Sequence, residues 1–320
     1  KNLAKNAHSG QSDYFVIEAD EYDRMFFGLN PRWILVTHLE HDHPDCYPTM
    51  EEYRQAFVYF VSRLEVGGGL LTCQDHPETA AMVQAVPSGC QAWTYGLAKN
   101  ADYMAAGLVT NPLGGTSFET FFHQQSLVKV ELQVPGLHNV RNALAVLALA
   151  HRLGLSLNAA AAALGEFSGT GRRFDLLGEA GGIAIYNDYA HHPTEIRTTL
   201  AAARQRYPDR RIWAVWQPHT YSRTRALFNE FTNAFEDADQ VIVTEIYAAR
   251  EADTGFSAAR VVAEMAHPAA WYAPHLADAV QYLLEELRPG DVVLVLSAGD
   301  ADQISQQVLD SIRSREERHD

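Results

Sequence analysis

The densest chemistry in the chain is the run Thr37-His-Leu-Glu-His-Asp-His-Pro-Asp45, which gathers three imidazoles and three carboxylates. Mixed nitrogen and oxygen donors at that density suit a metal ion. His41-Asp-His43-Pro-Asp45-Cys46 departs at one residue from the HxHxDH ligand string of zinc hydrolases, with Cys46 in place of the final histidine. One reading is therefore a zinc hydrolase built on His38, His41 and His43; the bland one is a solvated polar loop. Glu18-Ala-Asp-Glu21-Tyr-Asp23 is a second acidic cluster. Crowded carboxylates raise one another's pKa unless water or a hard divalent cation shares them, and oxygen ligands of this kind fit magnesium. The second half of the chain carries Asn187-Asp-Tyr-Ala-His-His-Pro-Thr-Glu195 and Trp216-Gln-Pro-His-Thr-Tyr-Ser-Arg-Thr-Arg225. Arg172, Arg173, Arg223 and Arg225 offer guanidinium groups that match carboxylate and phosphate oxygens in a bidentate manner. His191 and His192 are adjacent and point in different directions, so a capping or core role for one of them is as natural as chemistry.

These residues need elements to hold them. The apolar runs Asp13 to Glu18 and Arg32 to Thr37 read as buried parallel strands, each ending in one of the clusters, and the carboxyl ends of parallel strands are where α/β folds place ligands. Tyr53, Phe57, Phe60 and Leu64 have helical spacing after the possible cap Thr49, with Glu52 three residues on. Gly67-Gly-Gly69 turns the chain into Leu70 to Cys73, and Gln133-Val-Pro-Gly136 precedes a helix from about His138 to Leu153. In it Val140, Leu144 and Leu147 share one face, while Asn139 and Asn142 share another. An Ala-rich helix follows over Asn158 to Leu164. Ser168-Gly-Thr-Gly-Arg-Arg173 reads as the boundary between domains 1–168 and 169–320. Beyond it, apolar runs at Gly182 to Tyr186, Arg211 to Trp216, Gln240 to Thr244 and Asp291 to Leu296 alternate with helical stretches at Glu195 to Tyr207, Arg225 to Phe235 and Asp278 to Leu287. That is the pattern of a second doubly wound sheet. The charged tail Arg313 to Asp320 is expected to fray.

Composition narrows the function classes. With 320 residues and 47% hydrophobic content the chain can bury the cores of two domains. A formal charge of -15 makes the bulk surface repel nucleic acid and anionic membranes, so an anionic substrate needs a local cationic pocket. Three cysteines without CxxC spacing point to free thiols in a reducing, cytoplasmic setting. Lys1 to His8 has no apolar signal segment, and none of the four lysines lies in a GxxxxGK[ST] loop.

Taken together and in order, Glu18-Ala-Asp-Glu-Tyr-Asp23, Glu40-His-Asp-His-Pro-Asp45, Gly136-Leu-His-Asn-Val-Arg-Asn142, Gly169-Thr-Gly-Arg-Arg-Phe-Asp175, Asn187 to Glu195 and Gln217 to Arg225 resemble the Mur ligases of peptidoglycan synthesis. The resemblance implies an α/β chain made of a central ATPase domain, truncated at its start, followed by a Rossmann-like C-terminal domain. It also implies ATP and Mg2+ as cofactors, and UDP-N-acetylmuramate and L-alanine as substrates. An acyl phosphate formed on the lactyl carboxylate would be attacked by the alanine amine. Carried over by position, Glu18 and His43 match the metal ligands, and His138, Asn139 and Asn142 match the residues that hold adenine. Arg173 and Asp188 match positions near the ATP phosphates and ribose, and Tyr189, His191 and Arg223 the side that receives the amino acid. His191, Arg173 and Arg223 are the expected catalytic set. The side chains of both domains are expected to converge on one triphosphate.

Three departures from the family pattern stand out. Its P-loop is expected upstream of Lys1 together with the UDP-binding domain, which would leave these residues an inert fragment of a ligase. Thr220 stands where many relatives have arginine. The carbamylated lysine of several relatives would fall near Val58, and no lysine lies between Lys5 and Lys99. The recycling ligase that attaches a tripeptide shares the acidic and His-His-Pro-Thr motifs but typically lacks the Gln217 to Arg225 string, so that string favours the alanine-adding branch.

Overall fold

A computed structural model describes residues 7–317; the expectation for the leading segment lies largely outside these residues, whereas the charged tail expected to fray from Arg313 continues the last helix as far as Glu316, with only residues 318–320 outside. The described chain divides between Ser168 and Gly169 into two compact units.

The first unit is built on one sheet. Its elements are β1 (Trp33–Val36), α1 (Met50–Ser62), β2 (Gly69–Cys73), α2 (Pro77–Ala81), β3 (Gln91–Gly96), β4 (Tyr103–Thr110), β5 (Thr116–Phe122), β6 (Gln125–Glu131), α3 (Leu137–Arg152) and α4 (Leu157–Glu166). Strands run in the order β1-β2-β3-β4-β5-β6; the first four are parallel, and the β4–β5 and β5–β6 pairings are antiparallel. Successive strand side chains face opposite sides, so Leu70 packs with Ile34, Phe60 and Val61, and Leu71 with Tyr95, Leu144 and Leu147. The start of α1 follows from its sequence: the Thr49 hydroxyl oxygen accepts from the Glu52 amide at 3.2 Å.

One expectation is corrected in this unit. Asp13 to Glu18 is not a buried strand: Phe15 and Val16 are 85% and 89% exposed, and β1 is the edge of the sheet. Apolar composition sets what a segment gains by burial, but a strand also needs a hydrogen-bonded neighbour, and among the described residues this run has none. In the meander β4 to β6 the second turn lacks its usual marker, because His123 and Gln124 form it at φ 44° and 68° without glycine.

The second unit contains β7 (Asp175–Ala180), β8 (Ile183–Asp188), α5 (Pro193–Arg206), β9 (Ile212–Trp216), α6 (Tyr221–Ala226), α7 (Phe228–Thr232), β10 (Gln240–Thr244), α8 (Ala259–Ala263), β11 (Ala270–Ala273), α9 (Leu276–Glu286), β12 (Val292–Leu296) and α10 (Asp302–Glu316). Its sheet has the order β11-β10-β9-β12-β8-β7, parallel except for β7. Fully buried runs such as Ile212–Trp216 and Val292–Leu296 follow from helices covering both faces. Gly181 and Gly182, at φ 57° and 72°, make the two-residue turn that folds β7 back on β8. The single helix expected over Arg225 to Phe235 is instead the pair α6 and α7, broken at Leu227, whose φ of -110° is not helical. Among the described residues no helix is long and apolar enough to cross a membrane.

Candidate functional site

In the first unit the loop after β1 meets the acidic loop. His43 sits at φ 53°, with Nε2 3.4 Å from Glu21 Oε1 and 3.7 Å from Asp42 Oδ2, and its ring lies edge-on to Tyr22. Tyr22 donates its hydroxyl to Asp45 at 3.3 Å, and Tyr53 donates to Glu21 Oε1 at 3.4 Å. Burial raises the Glu21 carboxyl, but the hydrogen bond from His43, a backbone hydrogen bond and the charge of His43 together more than offset it, so its pKa lies below the ordinary carboxylate value. Glu18 is exposed at the start of the same loop.

The three imidazoles of the zinc reading do not converge. His38 Nε2 is 3.0 Å from Glu40, His41 Nε2 is 2.8 Å from the Tyr47 carbonyl, and His43 faces Glu21. Among the described residues no group of three or more His, Cys, Asp or Glu side chains is arranged to hold a metal. Zinc requires several close, dedicated ligands, so the donor set does not fit it. Magnesium keeps several waters and is commonly held by one or two protein groups plus phosphate oxygens; the exposed Glu18 offers a carboxylate of that kind, and the half-buried His43 an imidazole nitrogen that faces Glu21.

A clamp that sequence reasoning did not single out ties three segments of the first unit together. Asp75, in the loop after β2, accepts from the amides of Leu97 and Ala98 at 2.9 Å, and Arg141 Nε donates to it at 2.5 Å. Burial raises this carboxyl, and Arg141 with the two amides brings it below the usual range. A Cβ on Gly96 would come within 2.4 Å of Asp75 Oδ1, so the loop after β3 closes over the carboxylate only with glycine there. The clamp joins two strand-end loops to the start of α3, which carries His138, Asn139 and Asn142. Asn139 donates its side-chain amide to the Pro135 carbonyl at 2.7 Å, His138 is half-buried and Asn142 is exposed. An acid directly after an apolar strand was the available signal.

In the second unit the loops after β8, β9, β10 and β12 share the carboxyl edge of the sheet. Tyr189 lies under two guanidinium groups, with Arg172 and Arg173 4.9 and 5.5 Å from its ring centroid. Glu195 ties this loop together: it pairs with Arg173 at 2.9 Å, accepts from the amides of His191 and His192, and lies 3.3 Å from His191 Nδ1. Burial pushes the Glu195 carboxyl up, and the positive partners His191 and Arg173 more than offset that, so its pKa is lowered. His192 is the member of the histidine pair that caps a helix, with its Nδ1 accepting from the Thr194 amide at 3.3 Å. His191 faces the edge, its ring 5.8 Å from that of His219. Arg223 is 5% exposed and its Nη1 donates to His219 Nδ1 at 3.2 Å. Thr220, at φ 65°, caps α6. The structure thus brings Tyr189, His191 and Arg223 onto one edge, and attaches Arg173 through Glu195.

Asp188 sits beneath that edge. Its carboxylate accepts from the amides of Phe174 and Ala190, both at 2.8 Å, and from the Thr199 hydroxyl at 3.1 Å. Burial raises its pKa despite these donors. Both oxygens are engaged inside the fold, so Asp188 positions Arg173 and Tyr189 through the flanking backbone. In the variant Asp188→Asn an amide N–H would face a backbone N–H, and we expect stability to fall by about 2 kcal/mol. Urea unfolding measures this; an unchanged midpoint would remove Asp188 from the role.

Residues 1–150 match the Mur ligase middle domain and residues 172–299 the Mur ligase glutamate ligase domain. The UDP-N-acetylmuramate--L-alanine ligase of Salinibacter ruber is 40% identical over 316 residues, covering 98% of this chain and 66% of the relative. The enzyme of the same name from Acidobacterium capsulatum is 41% identical over 315 residues, covering 98% and 68%. The chain therefore spans about two thirds of the length of these relatives. The crystal structure of a UDP-N-acetylmuramate-alanine ligase from Thermotoga maritima superposes with a TM-score of 0.74 at 25% identity, covering 93% of this chain and 63% of that one. Two domain matches in family order, carried by the same two α/β units, identify the chain as a member of the Mur ligase family.

Proposed function

We propose that the full-length protein is an ATP-dependent ligase that joins the amine of L-alanine to the carboxylate of UDP-N-acetylmuramate, acting in the cytoplasm with Mg2+. The observation that carries this is identity of about 40% to relatives of that name across 98% of the chain. Glu18 and His43 hold the metal, and bound Mg2+ supplies charge neutralisation for phosphate oxygens. The Asp75–Arg141 clamp fixes the start of α3, where His138, Asn139 and Asn142 hold adenine. Arg173, steadied by Glu195, faces phosphate. Tyr189, His191 and Arg223 receive the amino acid, whose carboxylate pairs with the guanidinium of Arg223. Positioning of this kind turns attack on an activated carboxyl group into an effectively unimolecular step.

The test is release of inorganic phosphate by the full-length protein. Release is expected only when ATP, UDP-N-acetylmuramate and L-alanine are all present. Release with a tripeptide in place of alanine, and none with alanine, would assign the protein to the recycling branch instead.

A further inference from the structure

Four aromatic rings run along the carboxyl edge of the second sheet. Tyr189, His191, His219 and Tyr247 follow one another with centroids 5.4, 5.8 and 5.8 Å apart. The last of them has had no role so far. Tyr247 comes from the loop after β10, and its ring stacks on that of His219 with 24° between the planes. The backbone holds it in place on both sides of His219: the Tyr247 amide donates to the Pro218 carbonyl at 2.8 Å, and the Thr220 amide donates to the Tyr247 carbonyl at 2.9 Å.

The loop after β12 approaches Tyr247 from another side. A Cβ on Gly299 would lie 2.6 Å from Tyr247 Cγ and 2.5 Å from Gln217 Oε1, far inside van der Waals contact. Gln217 cannot easily yield, because its Oε1 accepts from the Ser297 hydroxyl and the Ala301 amide while its Nε2 donates to Asp300. Glycine at 299 is therefore what lets Tyr247 take this position.

The consequence runs through His219. A guanidinium can only donate, so the contact between Arg223 Nη1 and His219 Nδ1 requires Nδ1 to accept, which places the ring proton on Nε2. The direction of the Nδ1 lone pair follows the plane of the imidazole. Tyr247 stacks against that plane, while His191 meets the ring edge-on with 65° between the planes.

The geometry points to Tyr247 as a positioning residue for amino-acid recognition: its ring fixes the imidazole of His219 so that Nδ1 receives Arg223 and holds the guanidinium in its binding orientation. This rests on the reading of Arg223 as the group that binds the substrate carboxylate. A stacked pair contributes enough that its removal should weaken alanine recognition by about tenfold.

The experiment uses the full-length protein and the variants Tyr247→Ala, Tyr247→Phe and Gly299→Ala. For Tyr247→Ala the KM for L-alanine should rise about tenfold, with kcat changed less than about threefold and the KM for ATP unchanged. Tyr247→Phe keeps the ring and should restore the KM. Gly299→Ala should reproduce the alanine defect by displacing the ring. Nitrogen-15 NMR of the histidine side chains supplies a readout independent of turnover: the wild-type His219 should show the Nε2–H form, and Tyr247→Ala should show averaging between the two tautomers. An unchanged alanine KM, an equal rise for ATP, failure of phenylalanine to rescue, or an unaltered His219 signal in Tyr247→Ala would overturn the proposal. Absence of alanine-dependent turnover in the wild type would instead defeat the functional reading, and the NMR comparison would still decide whether Tyr247 orients His219.

Discussion

Replacing His43 by alanine should lower turnover of the full-length protein by about a hundred- to a thousandfold, the usual cost of removing one preorganised group from a site that stabilises developing charge. His43 joins the loop after β1 to the acidic loop through Glu21, and it is the half-buried partner of the exposed Glu18 in the proposed metal site. Without the imidazole, its hydrogen bond and charge no longer lower the Glu21 pKa, while the burial that raises it remains and only a backbone hydrogen bond still lowers it. The carboxylate would then be harder to ionise where charge is needed. The fold should largely survive, because the His43 side chain is on a loop and lies outside the main cores. His43 already carries the left-handed cost of roughly 1–2 kcal/mol at its φ of 53°, and alanine keeps it, so His43→Gly, which removes it, provides the control. Glycine relieves the strain and should lose turnover equally. Steady-state phosphate release measured beside thermal unfolding separates the two effects. Turnover that stays near wild type in both variants would take His43 out of the site.

Arg223→Ala should raise the KM for L-alanine by about a hundredfold while leaving the KM for ATP near its starting value, since a charge-assisted, bidentate contact to a carboxylate is among the stronger polar interactions. Arg223 is 5% exposed, and a cation held that far from bulk water is costly unless partners surround it. His219 is one such partner, and the first turn of the short helix α6, capped by Thr220, fixes the backbone. Lysine should recover only part of the affinity, because a compact ammonium cannot reproduce the planar fork or its contact with His219. Isotope-labelled alanine in initial-rate assays gives the measurement. A defect expressed in ATP rather than alanine would move Arg223 to the phosphate side of the reaction.

Much of the architecture was legible in the residues themselves. The second sheet follows from apolar runs that stand out because parallel strands covered on both faces have no reason to alternate, and Gln240–Thr244 begins and ends where its pattern does. The start of α1 is fixed locally by Thr49 and Glu52, and the candidate residues of the second unit fall on one edge because Tyr189, His191 and Arg223 come after the parallel strands β8 and β9, while Arg173 enters the antiparallel β7 from the same edge. Asp13 to Glu18 misled for the opposite reason: its composition is that of a strand, whereas pairing is a relation between segments.

The family, the two-unit layout and the residue types at both candidate sites were determined by the sequence alone, since order and spacing of motifs are one-dimensional properties. Which of those residues turn into the fold and which stay at its edge was decided by the tertiary structure. Asp188 turned inward because Phe174, Ala190 and Thr199 supply donors that only folding brings together. Asp75 and Arg141 lie 66 positions apart in the chain and meet at one carboxylate. Tyr247 reaches His219 only because glycine at 299 leaves the space. Side-chain direction and contact between distant segments depend on packing in three dimensions, and no periodicity along the chain encodes them.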